Sequence, residues 1–191
     1  MLTQALKEWA VAIEALTRGE TILLLRKGGI REVGGRFRVE HSRVWLYPTY
    51  EHQQPHLLKP SYANLVQPVA SGWHPQTVAI QAFAEITDIL QVTDPAIVTA
   101  LLPFHVWNEA FVSDRLRWKA REPLYLLLLR VWRLNAPQQI AYRSEYGGCK
   151  SWIELTEPIS TQGAVVVLGD RAYDEQVANV RKTVAETVGK S

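Results

Sequence analysis

The sequence predicts an α+β domain built on a mixed or mostly antiparallel sheet, barrel-like in its possible closure, with flanking helices. Three observations predict it. "PLYLLLLRVWRL" (123–134) is apolar on both faces, as a central strand must be. "TVAIQAFAEITDILQV" (77–92) fits strand or helix, and the alternation of Val78, Ile80, Ala82, Ala84 and Ile86 on one parity favours the strand. The order of segments is helix, several strands, helices, strands, helix, unlike the regular alternation of βαβ winding.

Leu2, Leu6, Trp9, Ile13 and Leu16 recur at 4-3-4-3 intervals and predict an N-terminal helix, stopped by Gly19. "ETILLLRK" carries a strand-like block at Ile22–Leu25. The pairs Gly28–Gly29 and Gly34–Gly35 read as tight turns, because glycine tolerates positive φ. A strand is predicted over 36–47, with Phe37, Val39, His41, Arg43, Trp45 and Tyr47 on one parity. Neither face of it is purely apolar, so a bulge is expected near His41–Ser42. Four prolines make 53–76 irregular, with a short helix at 61–66 and the one candidate seam of the chain. Thr93 or Asp94 caps a helix entered by Pro95. The spacing of Trp107, Phe111, Arg115 and Trp118 predicts a helix over 106–119. "GAVVVLGD" (163–170) reads as a late strand. A last helix follows, with Tyr173, Val177, Val180 and Val184 on one face. Without repeats or low-complexity linkers, 1–191 reads as a single domain.

Composition narrows the function classes. The chain is 47% apolar and 21% charged, enough for an ordinary core. A net charge of +2 is too small to argue for nucleic-acid binding by overall charge, so any basic patch must be local. The one cysteine, Cys149, forms no internal disulfide and no four-cysteine zinc site, and it fits a reducing cytoplasm. Charges at Lys7, Glu8, Glu14 and Arg18 argue against a secretory leader. The longest apolar run, 124–129, is about a third of a membrane span, so no membrane partner is expected.

The densest chemistry lies early. Arg26, Lys27, Arg31, Arg36, Arg38 and Arg43 fall within eighteen positions, and Tyr47 and Tyr50 follow. Guanidinium forks that bind phosphate, beside rings that stack bases, are the ingredients of nucleic-acid recognition. The competing reading is a solvated hairpin whose arginines pair with Glu32 and Glu40. On the binding reading, Arg26, Lys27, Arg31 and Arg38 hold phosphate and Tyr47 and Tyr50 stack. Glu40, His41, Glu51 and His52 then make polar or base-edge contacts. Glu40, His41, Glu51, His52 and His56 are also metal-ligand types, and they support an alternative, a metal-dependent hydrolase or nuclease. Their spacing matches no metal motif, and Pro55 interrupts His52 and His56, so no cofactor or metal is predicted. "RKGGIREVGG" is neither a Walker loop nor a dinucleotide fingerprint. No acidic-x-Lys triplet sits on a predicted strand, so a complete restriction-type nuclease site is not expected.

"SEYGGCKSWIEL" (144–155) is the second notable stretch. A reactive Cys149 beside Lys150 would need a histidine base. The simpler expectation is a Gly147–Gly148 turn that leads Cys149 and Trp152 into the core. Arg130 and Arg133 flank Trp132; if buried, they need Glu145 or Glu154. Seven tryptophans leave room for a third reading, an exposed apolar face for a protein partner.

"ALKEWAVAIEAL", "ILLLRKGGIRE", "YPTYEHQ", "LLKP" and "YGGCKSWIEL", in that order along nearly the whole chain, resemble a bacterial domain family of unknown function, DUF1802. The resemblance implies no activity and assigns no catalytic residue. It implies a restriction-modification context, with a restriction endonuclease module as a partner. The matching segments add Lys59, Tyr146, Cys149, Lys150 and Trp152 to Arg26, Lys27, Arg31, Glu32, Glu40, His41, Tyr47, Tyr50, Glu51 and His52 as candidate site residues. The expected function is a nucleic-acid-binding or restriction-associated accessory domain.

Overall fold

The computed structural model describes residues 2–27, 31–33, 36–38, 41–118, 122–148 and 150–188. Strands β1 (Leu2–Trp9), β2 (Leu23–Arg26), β3 (Arg31–Val33), β4 (Arg36–Arg38) and β5 (Arg43–Thr49) fill the first quarter, with α1 (Ala10–Thr17) after β1. Then come α2 (Pro60–Ala63), β6 (Thr77–Val92), α3 (Pro95–Ala100), α4 (Glu109–Arg117) and β7 (Leu124–Ala141). The chain ends with β8 (Trp152–Ile159), β9 (Val165–Val166) and α5 (Asp170–Val188). Seven strands form one open sheet in the order β2-β7-β6-β5-β1-β8, with β9 also on β7, while β3 and β4 form a separate ribbon. Of the pairings in that sheet, β1 with β5 is parallel and the rest are antiparallel. The α+β class and the mostly antiparallel sheet are as the sequence predicts, and the sheet stays open rather than closing into a barrel.

The two strands that carried the prediction, β6 and β7, form its long central hairpin. Their register slips between Ile80 and Ala82, where β7 advances from Gln138 to Arg133. The surplus residues include Pro137, and a bulge is where a strand can accommodate a residue without a backbone N–H. Side chains of β5 alternate between two cores. Val44 and Leu46 join the larger one beneath the helices, and Trp45 and Tyr47 join the smaller one on the opposite face.

The N-terminal helix is corrected: residues 2–9 are a strand and only 10–17 are helical. β1 lies between β5 and β8, and its neighbours Ala5 and Leu6 are both fully buried, on opposite faces. A strand buried on both faces carries no alternation, so the helical spacing of its apolar residues was coincidence overridden by pairing. Ile13 and Leu16 of that stripe do lie in α1, in the larger core. The predicted 36–47 strand divides into β4 and β5, and "GAVVVLGD" pairs only through Val165–Val166. The short helix predicted at 61–66 is α2, one residue earlier and shorter.

Caps behave as their residue types require. Asp94 accepts from the Ala96 N–H at 2.8 Å at the start of α3, and Asn108 accepts from the Phe111 N–H at 3.2 Å at the start of α4. The Asn108 amide also donates to the carbonyls of His56 and Leu58, which fastens the 55–58 turn to α4. On α5 the predicted face is the buried one: Tyr173 and Val180 lie in the larger core, with Val177 and Val184 against it. Arg130 pairs with Asp170 at the start of α5, not with Glu145 or Glu154. No helix among the described residues is long and apolar enough to cross a membrane.

His105 is buried between Lys59 and the Trp107 ring, and neither ring nitrogen makes a well-formed hydrogen bond. Burial, reinforced by Lys59 and opposed by the Trp107 backbone, pushes its imidazole down to about 3. A base held neutral in the fold and free to protonate when unfolded contributes stability that is complete above pH 6.5 and declines toward pH 3. Across that window His105→Phe should show a flatter loss than the parent, by about 1 kcal/mol per pH unit in urea denaturation.

Candidate functional site

Five strands bring their ends together on one side of the sheet. The C-terminal ends of β1 and β5 lie parallel, and the starts of β6 and β8 and the end of β7 meet them there. The sheet also curls. Arg26, at the end of edge strand β2, donates to the Glu8 carboxylate at 2.8 Å and to the Lys7 carbonyl at 3.2 Å, four places away along the sheet. Between β2 with α4 on one side and the gathered strand ends on the other opens a cleft of about 560 Å³. The volume suits a nucleotide-sized ligand.

Each wall has a physical cause. Glu8 is buried, and its two carboxylate oxygens accept from Arg26 and from the Trp9 N–H, so the acid on this wall is neutralised within the fold. Arg115 of α4 faces the same carboxylate and Arg26, so two guanidiniums stand over one acid. Burial lowers the Arg115 pKa, with Glu8 pulling it up and Arg26 pulling it down. Its guanidinium lies over the rings of Phe111, at 4.9 Å, and Trp118, at 5.7 Å, and makes no ion pair among the described residues. Lys27 donates to the Arg115 and Leu116 carbonyls, which completes the end of α4.

The opposite wall is aromatic. Tyr47 and Tyr146 meet edge to face at 5.8 Å, Tyr50 and Trp73 at 6.0 Å, and His74 stacks flat on Tyr142 at 3.6 Å. Glu51 fixes this arrangement. It accepts from the Gly72 N–H at 2.6 Å and from the Ser71 hydroxyl at 3.3 Å, which holds the 71–73 turn beside Tyr50. The Gly72 hydrogen bond is also the main reason its carboxyl sits below its usual range. Next to it, His52 adopts φ +69°, unusual for a residue with a side chain. Lys7 secures the 146–148 turn from β1, donating to the Tyr146 carbonyl at 2.6 Å and the Gly148 carbonyl at 2.8 Å. At Gly147 an added Cβ would stand 2.8 Å from the Tyr142 hydroxyl and 3.1 Å from the Ser144 carbonyl oxygen, so any side chain there would displace the end of the Tyr142 ring.

Arg26, Lys27, Tyr47, Tyr50, Glu51, His52, Tyr146 and Lys150 of the sequence candidates line this one cleft. His41 and Lys59 do not line it; burial lowers the Lys59 pKa, and its charge helps to push the His105 imidazole down. Trp152 packs against the larger core. Arg31, Glu32 and Arg38 belong to the β3–β4 ribbon, and their side chains lie outside the described set, as do Glu40 and Cys149 altogether. The Arg26 side chain is committed to Glu8, which qualifies its expected role as a phosphate fork. Sequence reasoning missed Lys7, Trp9, Trp73, His74, Arg115, Trp118 and Tyr142. One signal was present: Arg115 and Trp118 share the apolar face of a helix, and an arginine there needs an explanation. Among the described residues no three His, Cys, Asp or Glu side chains converge to hold a metal. Of the seven tryptophans, Trp73 (45% exposed) and Trp118 (48%) are the exposed ones, and both line the cleft rather than a separate apolar face.

The buried pair in the cleft wall should be strongly coupled. Arg26→Met, which leaves the Glu8 charge buried alone, is expected to cost about 3–5 kcal/mol in urea denaturation. Combining it with Glu8→Met should restore most of that loss, a coupling that a double-mutant cycle measures.

Among solved structures, the chain is similar to the ASCH protein from Zymomonas mobilis, with a TM-score of 0.44, 14% identity and coverage of 92% of this chain and 93% of that one. Two single-residue variants of that protein give TM-scores of 0.45 and 0.43 at 13% and 14% identity, with 92% of this chain and 94% and 96% of theirs covered. No residue is carried across from them. No curated protein matches the chain. The domain family of unknown function DUF1802 matches residues 5–179, and the chain therefore belongs to that family.

Proposed function

We propose that the cleft binds single-stranded nucleic acid. One observation carries the reading: five Lys or Arg and eight Phe, Tyr or Trp side chains line a single concavity, against two Glu that are both engaged within the fold. Cations along a backbone path and rings that accept stacked bases are the two components of such sites. The cleft divides accordingly. Arg115, with the Glu8–Arg26 pair beneath it, suits phosphate, and the wall of Tyr50, Trp73, His74 and Tyr142 suits bases, whereas the expected stacking role of Tyr47 is ruled out by the burial of its ring. A nucleotide-sized concavity favours an unpaired strand over a duplex, whose bases are already stacked. Nothing in the cleft bears on a restriction endonuclease partner, which rests on the resemblance alone.

Fluorescence anisotropy with single-stranded RNA, single-stranded DNA and duplex oligomers, from about 50 to 200 mM salt, tests the reading. Single strands should bind more tightly than duplex, with affinity falling as salt rises. Arg115→Gln should weaken every single strand alike and reduce the magnitude of the log–log salt slope by about 0.7, one phosphate's share. Trp73→Ala should cost about 1–3 kcal/mol of binding with the slope unchanged. A flat, salt-independent response at micromolar protein would exclude the proposal.

A further inference from the structure

The cleft's hydrogen-bonding groups are unevenly balanced. Its evident acceptors are already engaged. The Tyr146 and Gly148 carbonyls take the Lys7 ammonium, the Glu51 carboxylate takes the Gly72 N–H and the Ser71 hydroxyl, and Glu8 takes Arg26 and the Trp9 N–H. Its donors are not all engaged. Tyr47 is 3% exposed and lines the cleft, yet its hydroxyl has no hydrogen-bond partner among the described residues. Its neighbour Tyr146 is already used, hydrogen-bonded through its hydroxyl to the Thr156 side chain and N–H, both at 2.9 Å. Burial, with the phenols of Tyr142, Tyr146 and Tyr50 beside it, raises the Tyr47 pKa, so the group remains a donor at any ordinary pH.

A buried donor left without a protein acceptor is costly, and each one calls for an explanation, of which a ligand that supplies the acceptor is one. Resting on the single-strand reading above, we infer that the cleft selects bases by their carbonyl groups, with the Tyr47 hydroxyl as the donor that reads them. Uracil, thymine and guanine present ring carbonyl oxygens on the edges that define them, whereas cytosine and adenine present an amino donor at the corresponding position. An amino group brought against Tyr47 could donate to the phenol oxygen, but it would leave the buried hydroxyl hydrogen still without an acceptor. A carbonyl there satisfies both partners. Tyr47 is thereby a specificity-determining residue, while phosphate binding rests on Arg115 and is indifferent to sequence.

Oligo(U) and oligo(C) of equal length share one backbone and differ only at the base edge, so anisotropy on this pair isolates the effect. The parent protein should favour oligo(U) by about fivefold to tenfold, the size of one neutral hydrogen bond. Tyr47→Phe should remove that preference, leave the salt slope unchanged and not lower Tm, because the lost hydroxyl had no partner in the free protein. Equal or reversed affinities in the parent, with salt-dependent binding intact, overturn the inference and leave the single-strand proposal standing. A preference that survives Tyr47→Phe overturns the assignment to Tyr47. An absence of binding to either oligomer overturns the single-strand proposal and the inference with it.

Discussion

The ion pair between Glu8 and Arg26 is the constraint on which the rest of the molecule's chemistry depends. It joins an edge strand to one four places away, so it marks the point where an open sheet bends back toward itself. Without that curl the strand ends would form a flat rim instead of a concavity. The pair is hydrogen-bonded on both carboxylate oxygens, the condition under which burying opposite charges comes near to breaking even. Its contribution is therefore geometric more than energetic. It sets where β1, β2 and α4 stand relative to one another, and the stability of the fold comes from the two apolar cores on either face of the sheet.

What the sequence disclosed follows from which signals are local. β7 was legible because a run of leucines buried on both faces has few alternatives, and β6 was legible less sharply, because only the alternation from Val78 to Ile86 separated a strand from a helix. The cap at Asp94 and the buried face of α5 were legible for the same reason. β1 was not, because its burial comes from two partners distant in sequence, and a strand covered on both sides loses the period that would identify it. In the site, the 26–52 and 146–150 halves were visible as clusters of unusual chemistry. Their convergence was not visible, since it is produced by the β1–β5 and β1–β8 ladders and by Lys7, which no local pattern marks. Trp73 and His74 were hidden in an irregular segment whose position is set by one carboxylate, Glu51, twenty-one residues away from the N–H it receives.

Charge illustrates the same distinction between whole and part. A net charge of +2 gives no general attraction for polyanions. The cleft nonetheless gathers five cations and spends its two acids on internal contacts. Attraction confined to one concavity yields binding that depends on entering it, and discourages the diffuse surface adsorption that a uniformly basic protein shows.

The free protein also carries two features that a ligand would relieve. Arg115 is partly withdrawn from water without a carboxylate of its own, and the Tyr47 hydroxyl is buried without an acceptor. Each polar group carries a cost in the cleft wall, although the Tyr47 ring itself packs in the smaller core and the guanidinium of Arg115 lies over Phe111 and Trp118. A phosphate beside Arg115 and a carbonyl beside Tyr47 would remove both costs at once. Binding energy would then come from groups already fixed in position, with little further ordering to offset it. If a ligand does relieve them, groups held at a cost without it would separate this cleft from an incidental gap between strand ends.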